Sequence, residues 1–494
     1  MDQDPKIPLG KHTVKGSIFS VSSSGVTLGL GFLRTILMAR LLFPEDFGVA
    51  TLALFFVNLA TQVSAIGLNN AFIHRKEVDD RVRSTYFTLH LILNIGGLAV
   101  LALAAPVLGG IYPEMPLLVP VIYAYVGIAV IKTLNASRTT MISKELAFGR
   151  LAFVDIASSV TMTVVGPLMA WLGYGIWAIV GENLSGVLAR ALVLWLGYRV
   201  WRPRLGFDRP IANWFWHYGI RSWWSSNFTF FLDRFDDFWI GTALGQTPLG
   251  YYSKAYDFAG YSKNVVANPI LSVFFPTFAH IQEDRLRLSR AFFRAMSLMV
   301  RVGCLFSLIV IFTAPEFVLI LLGERWLPML RAFQLMILYT LLDPLSMGAS
   351  TLMMATGFPG AVMRVNGIQL VIFIPAVIAM ASLWGIEGVA LAADLMVLVG
   401  TVLLFRLTYR VVDYSSRALW LWPLVAFTAT AALTYTATPL WAQLPTWGAL
   451  LAKAAFTAAL FLGLLWIAER EQLLTGFRTV MRLLRPEVVP GNEG

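Results

Sequence analysis

The sequence predicts an all-α integral membrane protein of about 14 transmembrane helices, built as two pseudo-symmetric six-helix lobes plus two C-terminal helices. Three observations predict this class. Of 494 residues, 57% are hydrophobic and 13% charged, with a mean hydropathy of +0.70; soluble domains carry about 25% charged residues. Apolar runs of roughly 18–25 residues, the length a helix needs to cross a bilayer core, recur along the chain. A weak internal repeat relates the first half to the second.

In order, the expected spans are 17–41, 48–73, 85–109, 117–137, 151–172, 176–198, 215–243, 250–279, 290–313, 328–355, 361–383, 388–409, 418–438 and 447–468. Pro44, Gly109-Gly110, Gly173, Pro203, Pro248, Pro315, Gly357-Phe358-Pro359 and Pro445 punctuate them, as proline and glycine do between helices. The first sixteen residues are polar and carry Lys6, Lys11 and Lys15. No short apolar core with a small-residue cleavage site follows, so the first span reads as retained.

Basic residues fall on alternate loops. One set holds Arg75, Lys76, Arg81 and Arg83; then Arg138, Lys144 and Arg150; then Arg199, Arg202, Arg204 and Arg209. It continues with Arg285, Arg287 and Arg290, with Arg364, and with Arg406, Arg410 and Arg417. The opposite loops hold Arg325 and little else that is basic. The positive-inside rule then puts both termini of this multi-pass chain in the cytoplasm. No loop is long enough to house a soluble catalytic domain.

The repeat appears at ordered offsets. Leu42, Phe47 and Gly48 correspond to Leu244, Leu249 and Gly250, and Ser23-Ser24 to Ser225-Ser226. The same offset sets Arg34 against Asp236, predicting facing lobes of opposite charge that help close a gate. Ala105-Pro106 corresponds to Ala314-Pro315, and Gly173, Ala178 and Glu182 to Gly385, Ala390 and Asp394. Both halves begin on one side of the membrane, the parallel repeat of transporters whose halves rock about a substrate. The expected division is a first lobe at 1–198, a basic cytoplasmic linker at 199–214 and a second lobe at 215–410. Two further helices follow at 411–468, then a basic tail at 469–494. The tail is amphipathic, as suits a helix lying on an anionic cytoplasmic leaflet.

The sharpest anomaly is Asp233-Arg234-Phe235-Asp236-Asp237 inside the seventh span. Such a run belongs at bilayer depth only where a helix lines a polar, water-accessible cavity. Asp233 shares a helix face with Asp236 and Asp237. Clustered carboxylates in a low dielectric resist full ionisation together, which offers a handle for proton coupling; a static Asp–Arg network is the structural alternative.

The run Ala39-Arg40-Leu41-Leu42-Phe43-Pro44-Glu45-Asp46-Phe47-Gly48 resembles the start of polysaccharide exporters in the multidrug/oligosaccharidyl-lipid/polysaccharide superfamily. So does the second-half pattern Ile240-Gly241, Leu244-Gly245, Leu249-Gly250-Tyr251-Tyr252-Ser253 and Ala255-Tyr256. Asn268-Pro269-Ile270, Phe275-Pro276, Gly323-Glu324-Arg325-Trp326 and Ala355-Thr356-Gly357 continue the likeness, which spans 14–410 and is closest to the Wzx-like O-antigen and exopolysaccharide branch. The resemblance implies a flippase moving undecaprenyl-pyrophosphate-linked oligosaccharide to the outer leaflet through a V-shaped cavity between two lobes. Its implied partners are that lipid-linked glycan, membrane lipids, and polysaccharide polymerase and export machinery. No catalytic residue is carried over.

A pyrophosphate cargo calls for cations at bilayer depth. Arg34, Lys132, Arg138, Arg234, Lys254 and Arg364 are the candidates, Arg364 near the cytoplasmic entrance. Against Arg34, the sharpest case, stands a charge-paired structural role or snorkelling to an interface. For coupling or gating the candidates are Asp233, Asp236, Asp237, Asp257 and Asp155, with Glu182, Asp343 and Asp394 as further lone carboxylates in the spans. Lys263 lies two turns beyond Asp257. Trp214, Trp216, Trp223 and Trp224 suit either sugar stacking or an interfacial belt, and their place after the basic linker favours the belt.

No cofactor is expected. Cys304 stands alone, His12, His74, His90, His217 and His280 are scattered, and no GxxxxGK[ST] phosphate loop occurs. The net charge of +10 lies in membrane-flanking loops, which argues against nucleic acid as a partner. The competing readings are a drug/cation antiporter of the same superfamily, a peptidoglycan precursor flippase, and a polysaccharide polymerase or ligase. The arginine in the first span counts against the first, and the short loops against the last.

Overall fold

The computed structural model describes residues 9–145, 148–198, 201, 203–441 and 443–484. The expected basic residues Lys6, Arg199 and Arg202, with the tail end 485–494, lie outside the described residues. Among those described, every regular element is a helix. The chain is a multi-pass membrane protein. Among the described residues ten helices are long and apolar enough to cross a bilayer, or eleven if one bent pair counts as a single span. The expected count of fourteen is therefore not established, although helix covers each of the fourteen expected stretches. Two of those stretches lie in one continuous helix run, Pro359–Thr408, broken where Gly385 takes φ 60 and ψ −137. The run Arg209–Ala243 falls outside the ten because its polar residues lower its hydropathy.

The chain divides into two compact units. The first holds residues up to Lys254 together with Leu370–Val389. Its helices are α1 (Leu9–Leu41), α2 (Pro44–Ser64), α3 (Leu68–His74), α4 (Asp80–Ile111), α5 (Leu118–Lys144), α6 (Phe148–Trp171), α7 (Ile176–Leu192, prolonged by a π turn, Val193–Gly197), α8 (Arg209–Ala243) and the first turns of α9 (Gln246–Ser262). Local chemistry sets the boundaries. Pro44 occupies the first position of α2, where its missing N–H is harmless. Asp79 and Asp208 cap α4 and α8, accepting the N–H groups of Val82 at 2.8 Å and Ile211 at 3.1 Å. Gly109-Gly110, expected as a turn, lies inside α4, which runs through Pro106 to Ile111.

Within this unit α2 and α9 begin against one another. A Cβ on Gly48 would overlap the Gln246 carbonyl oxygen, and a Cβ on Gly250 would overlap that of Pro44. Thr247 donates to the Glu45 carboxylate at 3.0 Å. The two glycine contacts are the repeat equivalents of one another, since Gly48 corresponds to Gly250 and Pro44 to Gln246, and Glu45 and Thr247 are themselves equivalent positions. Phe55 of α2 stacks on Phe238 at 5.1 Å, joining α2 to α8 as well.

The second unit holds Ala255–Gln369 and residues from Ala390 onward. It contains the rest of α9, a π turn (Lys263–Ala267), α10 (Asn268–His280), α11 (Arg285–Phe317), α12 (Leu330–Leu335), α13 (Ile337–Ala355), both ends of α14 (Pro359–Thr408), α15 (Ser416–Thr436), α16 (Thr438–Trp441) and α17 (Thr446–Leu484). Pro315 was expected to end a span, but α11 continues through it and a π turn reaches Leu322. Proline within a membrane helix is tolerated where neighbours re-satisfy the freed backbone groups; the stop comes at Gly323, with φ 98. Two ion pairs tie α11 to α17: Lys453 to Glu316 and Arg301 to Glu469, each at 2.6 Å. Glu469 breaks the helix, with φ −143 and ψ 38, and helix resumes through the basic tail to Leu484.

Candidate substrate cavity

Four span-capable helices of the first unit, α2, α4, α5 and α7, enclose a cavity of about 270 Å³. Polar side chains reach it at helical spacing. Asn58 and Gln62 lie one turn apart on α2, as do His90 and Asn94 on α4, so each pair presents one face. Lys132 comes from α5 and Asn183 from α7. Leu54, Val57, Ile128 and Val187 supply the apolar wall, and no carboxylate lines the cavity.

Lys132 is solvent-exposed along this cavity and has no hydrogen-bond or ion-pair partner among the described residues. The side chains of Asn58 and Gln62 are likewise uncommitted there. His90 is 4% exposed, and its Nδ1 has no hydrogen-bond partner. The buried Tyr125 hydroxyl is also without one. Asn94 and Asn183 each spend an amide N–H on a carbonyl four residues back, at 2.8 Å and 2.9 Å, leaving the side-chain oxygen. Buried polar groups are normally satisfied, so this concentration of unspent ones marks the cavity.

The other cationic candidates are engaged elsewhere. Arg34 pairs through Nε with Glu182 at 2.9 Å. Its expected opposition to Asp236 is not formed, because Glu182 of α7 takes the guanidinium. Asp236 is buried, accepting from the Tyr252 hydroxyl at 2.6 Å and the Asp237 N–H at 3.0 Å. Lys254 is buried over the Phe47 ring at 4.4 Å and close enough to Glu182 to act on its charge. Arg34, Glu182 and Lys254 thus form one charge cluster across α1, α7 and α9.

Arg138, though one turn and a half beyond Lys132, turns away from the cavity. It donates to the Leu194 carbonyl at 2.7 Å and lies 3.9 Å from the Trp195 ring centre, closing the π turn that ends α7. Arg190 holds Asp155 at 2.6 Å. Arg234 is half-exposed and pairs with Asp237 at 3.1 Å on its own helix. Asp233 and Asp257 are exposed, and Arg364 is exposed with its Nε on the Gly360 carbonyl at 3.3 Å. In the second unit Lys263 sits 3.6 Å from Asp343, and Asp394 accepts the Tyr339 N–H at 2.7 Å, capping the start of α13. Trp216 and Trp224 are exposed and line no part of the cavity.

Residues 37–331 match the family described as polysaccharide biosynthesis protein. The chain belongs to that family. Two relatives are similar over much of their length. Lipopolysaccharide biosynthesis protein WzxC of Escherichia coli (strain K12) is 25% identical over 429 residues, 84% of this chain and 85% of WzxC. Succinoglycan biosynthesis transport protein ExoT of Rhizobium meliloti (strain 1021) is 27% identical over 316 residues, 62% of either chain. Among solved structures, lipid II flippase MurJ in an inward closed conformation superposes with a TM-score of 0.72 at 14% identity, covering 93% of this chain and all of MurJ. An inward-facing multidrug resistance MATE family transporter gives 0.59 at 14% identity, covering 84% and 98%. At these identities the structural likeness concerns the fold: this polysaccharide biosynthesis protein shares the all-helical transporter fold of both.

Proposed function

We propose that the chain is a secondary transporter, not an enzyme, that flips undecaprenyl-pyrophosphate-linked oligosaccharide from the cytoplasmic to the outer leaflet of the bacterial inner membrane. The transport serves surface-polysaccharide assembly and proceeds by alternating access. Family membership supports this, as do relatives named for lipopolysaccharide biosynthesis and succinoglycan transport and a fold shared with a lipid II flippase. One observation carries the reading: Lys132 stands without a partner in a polar cavity inside span-capable helices. A cation at bilayer depth is costly and retained for use, and an anionic headgroup is the cargo that would use it. A cationic drug would be repelled there, which weighs against antiport of cations.

Two six-helix lobes, 1–198 and 215–410, are the moving parts in this proposal. The reciprocal contacts of Gly48 with Gln246 and Gly250 with Pro44 support their equivalence. Both termini lie in the cytoplasm, as the basic loops argue. The Arg34–Glu182–Lys254 cluster and the Asp233–Asp237 run serve coupling or gating, with Asp155 and Asp257 as the remaining carboxylates of that role. Polymerase and export proteins receive the flipped glycan. The test is reconstitution in liposomes with a fluorescent undecaprenyl-pyrophosphate oligosaccharide. Protein-dependent loss of inner-leaflet label is expected, and equal rates with and without protein would sink the proposal.

A further inference from the structure

We infer that the α2/α4/α5/α7 cavity is a subsite for one sugar ring carrying a negative charge, with Lys132 as its counter-ion and Asn58 and Gln62 as hydroxyl partners. The inference rests on the flippase reading and adds which part of the cargo this cavity takes.

Size is the first argument. A cavity of about 270 Å³ accommodates a single substituted pyranose.

Chemistry is the second. Amides donate and accept together, which matches vicinal hydroxyls, and the amides of Asn58 and Gln62 are unspent. Lys132 adds a compact positive charge with three donors. The neighbouring carboxylates do not neutralise it, because Asp155 is held by Arg190 and Glu182 by Arg34.

Burial is the third. His90, nine-tenths buried, lines the cavity with Nδ1 unpartnered, and its α4 neighbour Asn94 leaves an amide oxygen on the same face. An orphaned buried nitrogen calls for a partner; a sugar hydroxyl, able to donate or accept, supplies one whichever tautomer His90 adopts.

The charge on the ring can be a uronic carboxylate or the sugar-linked pyrophosphate, and binding distinguishes them. Full-length protein in detergent is titrated with three soluble probes: a neutral trisaccharide, the same trisaccharide with one uronic acid, and the neutral trisaccharide bearing a pyrophosphate at its reducing end. The wild type should bind at least one charged probe about 10- to 100-fold more tightly than the neutral one, the range of a charge-assisted hydrogen bond. Lys132→Gln should erase that preference, Lys132→Arg should keep most of it, and Gln62→Leu should weaken all probes that bind. Preference for the uronic probe assigns the cavity to the glycan, and preference for the pyrophosphate probe to the headgroup. A wild type indifferent to charge, or a preference that survives Lys132→Gln, overturns the inference. Translocation in liposomes is read separately, so failure of flipping and failure of this subsite are distinguishable.

Discussion

Gly48 and Gly250, 202 positions apart in the sequence, lean on each other's helix: each leaves room for a carbonyl from the first turn of the other's helix, Gln246 for Gly48 and Pro44 for Gly250. Side chains larger than hydrogen are excluded at both positions, so the two helix starts approach at backbone distance. Gly48→Ala and Gly250→Ala should each destabilise the protein by about 1–3 kcal/mol through overpacking. Thermal unfolding in detergent checks the loss, and a Tm unchanged in both variants would show that the helix starts are free to separate.

Arg34 and Glu182 bring opposite charges together in the first unit. Breaking a partly buried pair from one side leaves the other charge uncompensated, which costs about 3–5 kcal/mol when burial is deep. Arg34 is about one-fifth exposed, so a smaller loss is expected. Arg34→Gln and Glu182→Gln should each reduce export at normal membrane levels, and the double variant should do no worse than either single one. Additive losses would separate the two residues functionally.

Arg301 and Glu469 are almost fully buried, at 7% and 1% side-chain exposure, where α17 breaks. Arg301→Met or Glu469→Gln alone should cost about 3–5 kcal/mol, and the pair changed together much less. A double-mutant cycle on unfolding measures the coupling; a coupling near zero would remove this pair as the anchor of the terminal helix.

Asp413 lies in the exposed loop after α14, with Arg285 donating to both of its oxygens at 2.6 and 2.8 Å. Those hydrogen bonds hold its carboxyl below the ordinary value of 3.8. A depressed folded-state pKa contributes stability that is present above the unfolded value and lost as pH falls through the folded one. Wild type and Asp413→Asn should therefore differ in Tm at pH 6, with the gap closing below pH 3.8. A gap that persists in acid would assign the effect to something other than ionisation.

Much of the fold was legible because hydrocarbon-length apolar runs and their glycine and proline punctuation record helix placement directly. The exceptions have physical reasons. Pro315 lies inside α11, since a membrane helix can continue past a proline where a π turn follows. Gly385, set against Gly173 by the repeat, has backbone angles (φ 60, ψ −137) close to those of Gly175 (φ 54, ψ −132), which the sequence did not single out. For the site, charge singled out Lys132 and Arg34 but was silent on direction. Arg138 lies on the same helix as Lys132, yet only packing shows that its guanidinium closes the end of α7. Asn58, Gln62, Asn94 and Asn183 are uncharged polar residues of a kind common in helices, and His90 read only as one of five scattered histidines. Their signal was the i, i+4 pairing of Asn58 with Gln62 and of His90 with Asn94 within otherwise apolar spans.

Lys132 is where these lines meet, so flipping by its variants tests the account most directly. Liposomes holding wild type, Lys132→Gln or Lys132→Arg are given the undecaprenyl-pyrophosphate oligosaccharide, and inner-leaflet label is followed over time. The wild type should flip rapidly, Lys132→Gln should lose about tenfold or more, and Lys132→Arg should retain much of the rate. A Lys132→Gln protein that flips the lipid at the wild-type rate would remove Lys132 from the substrate path.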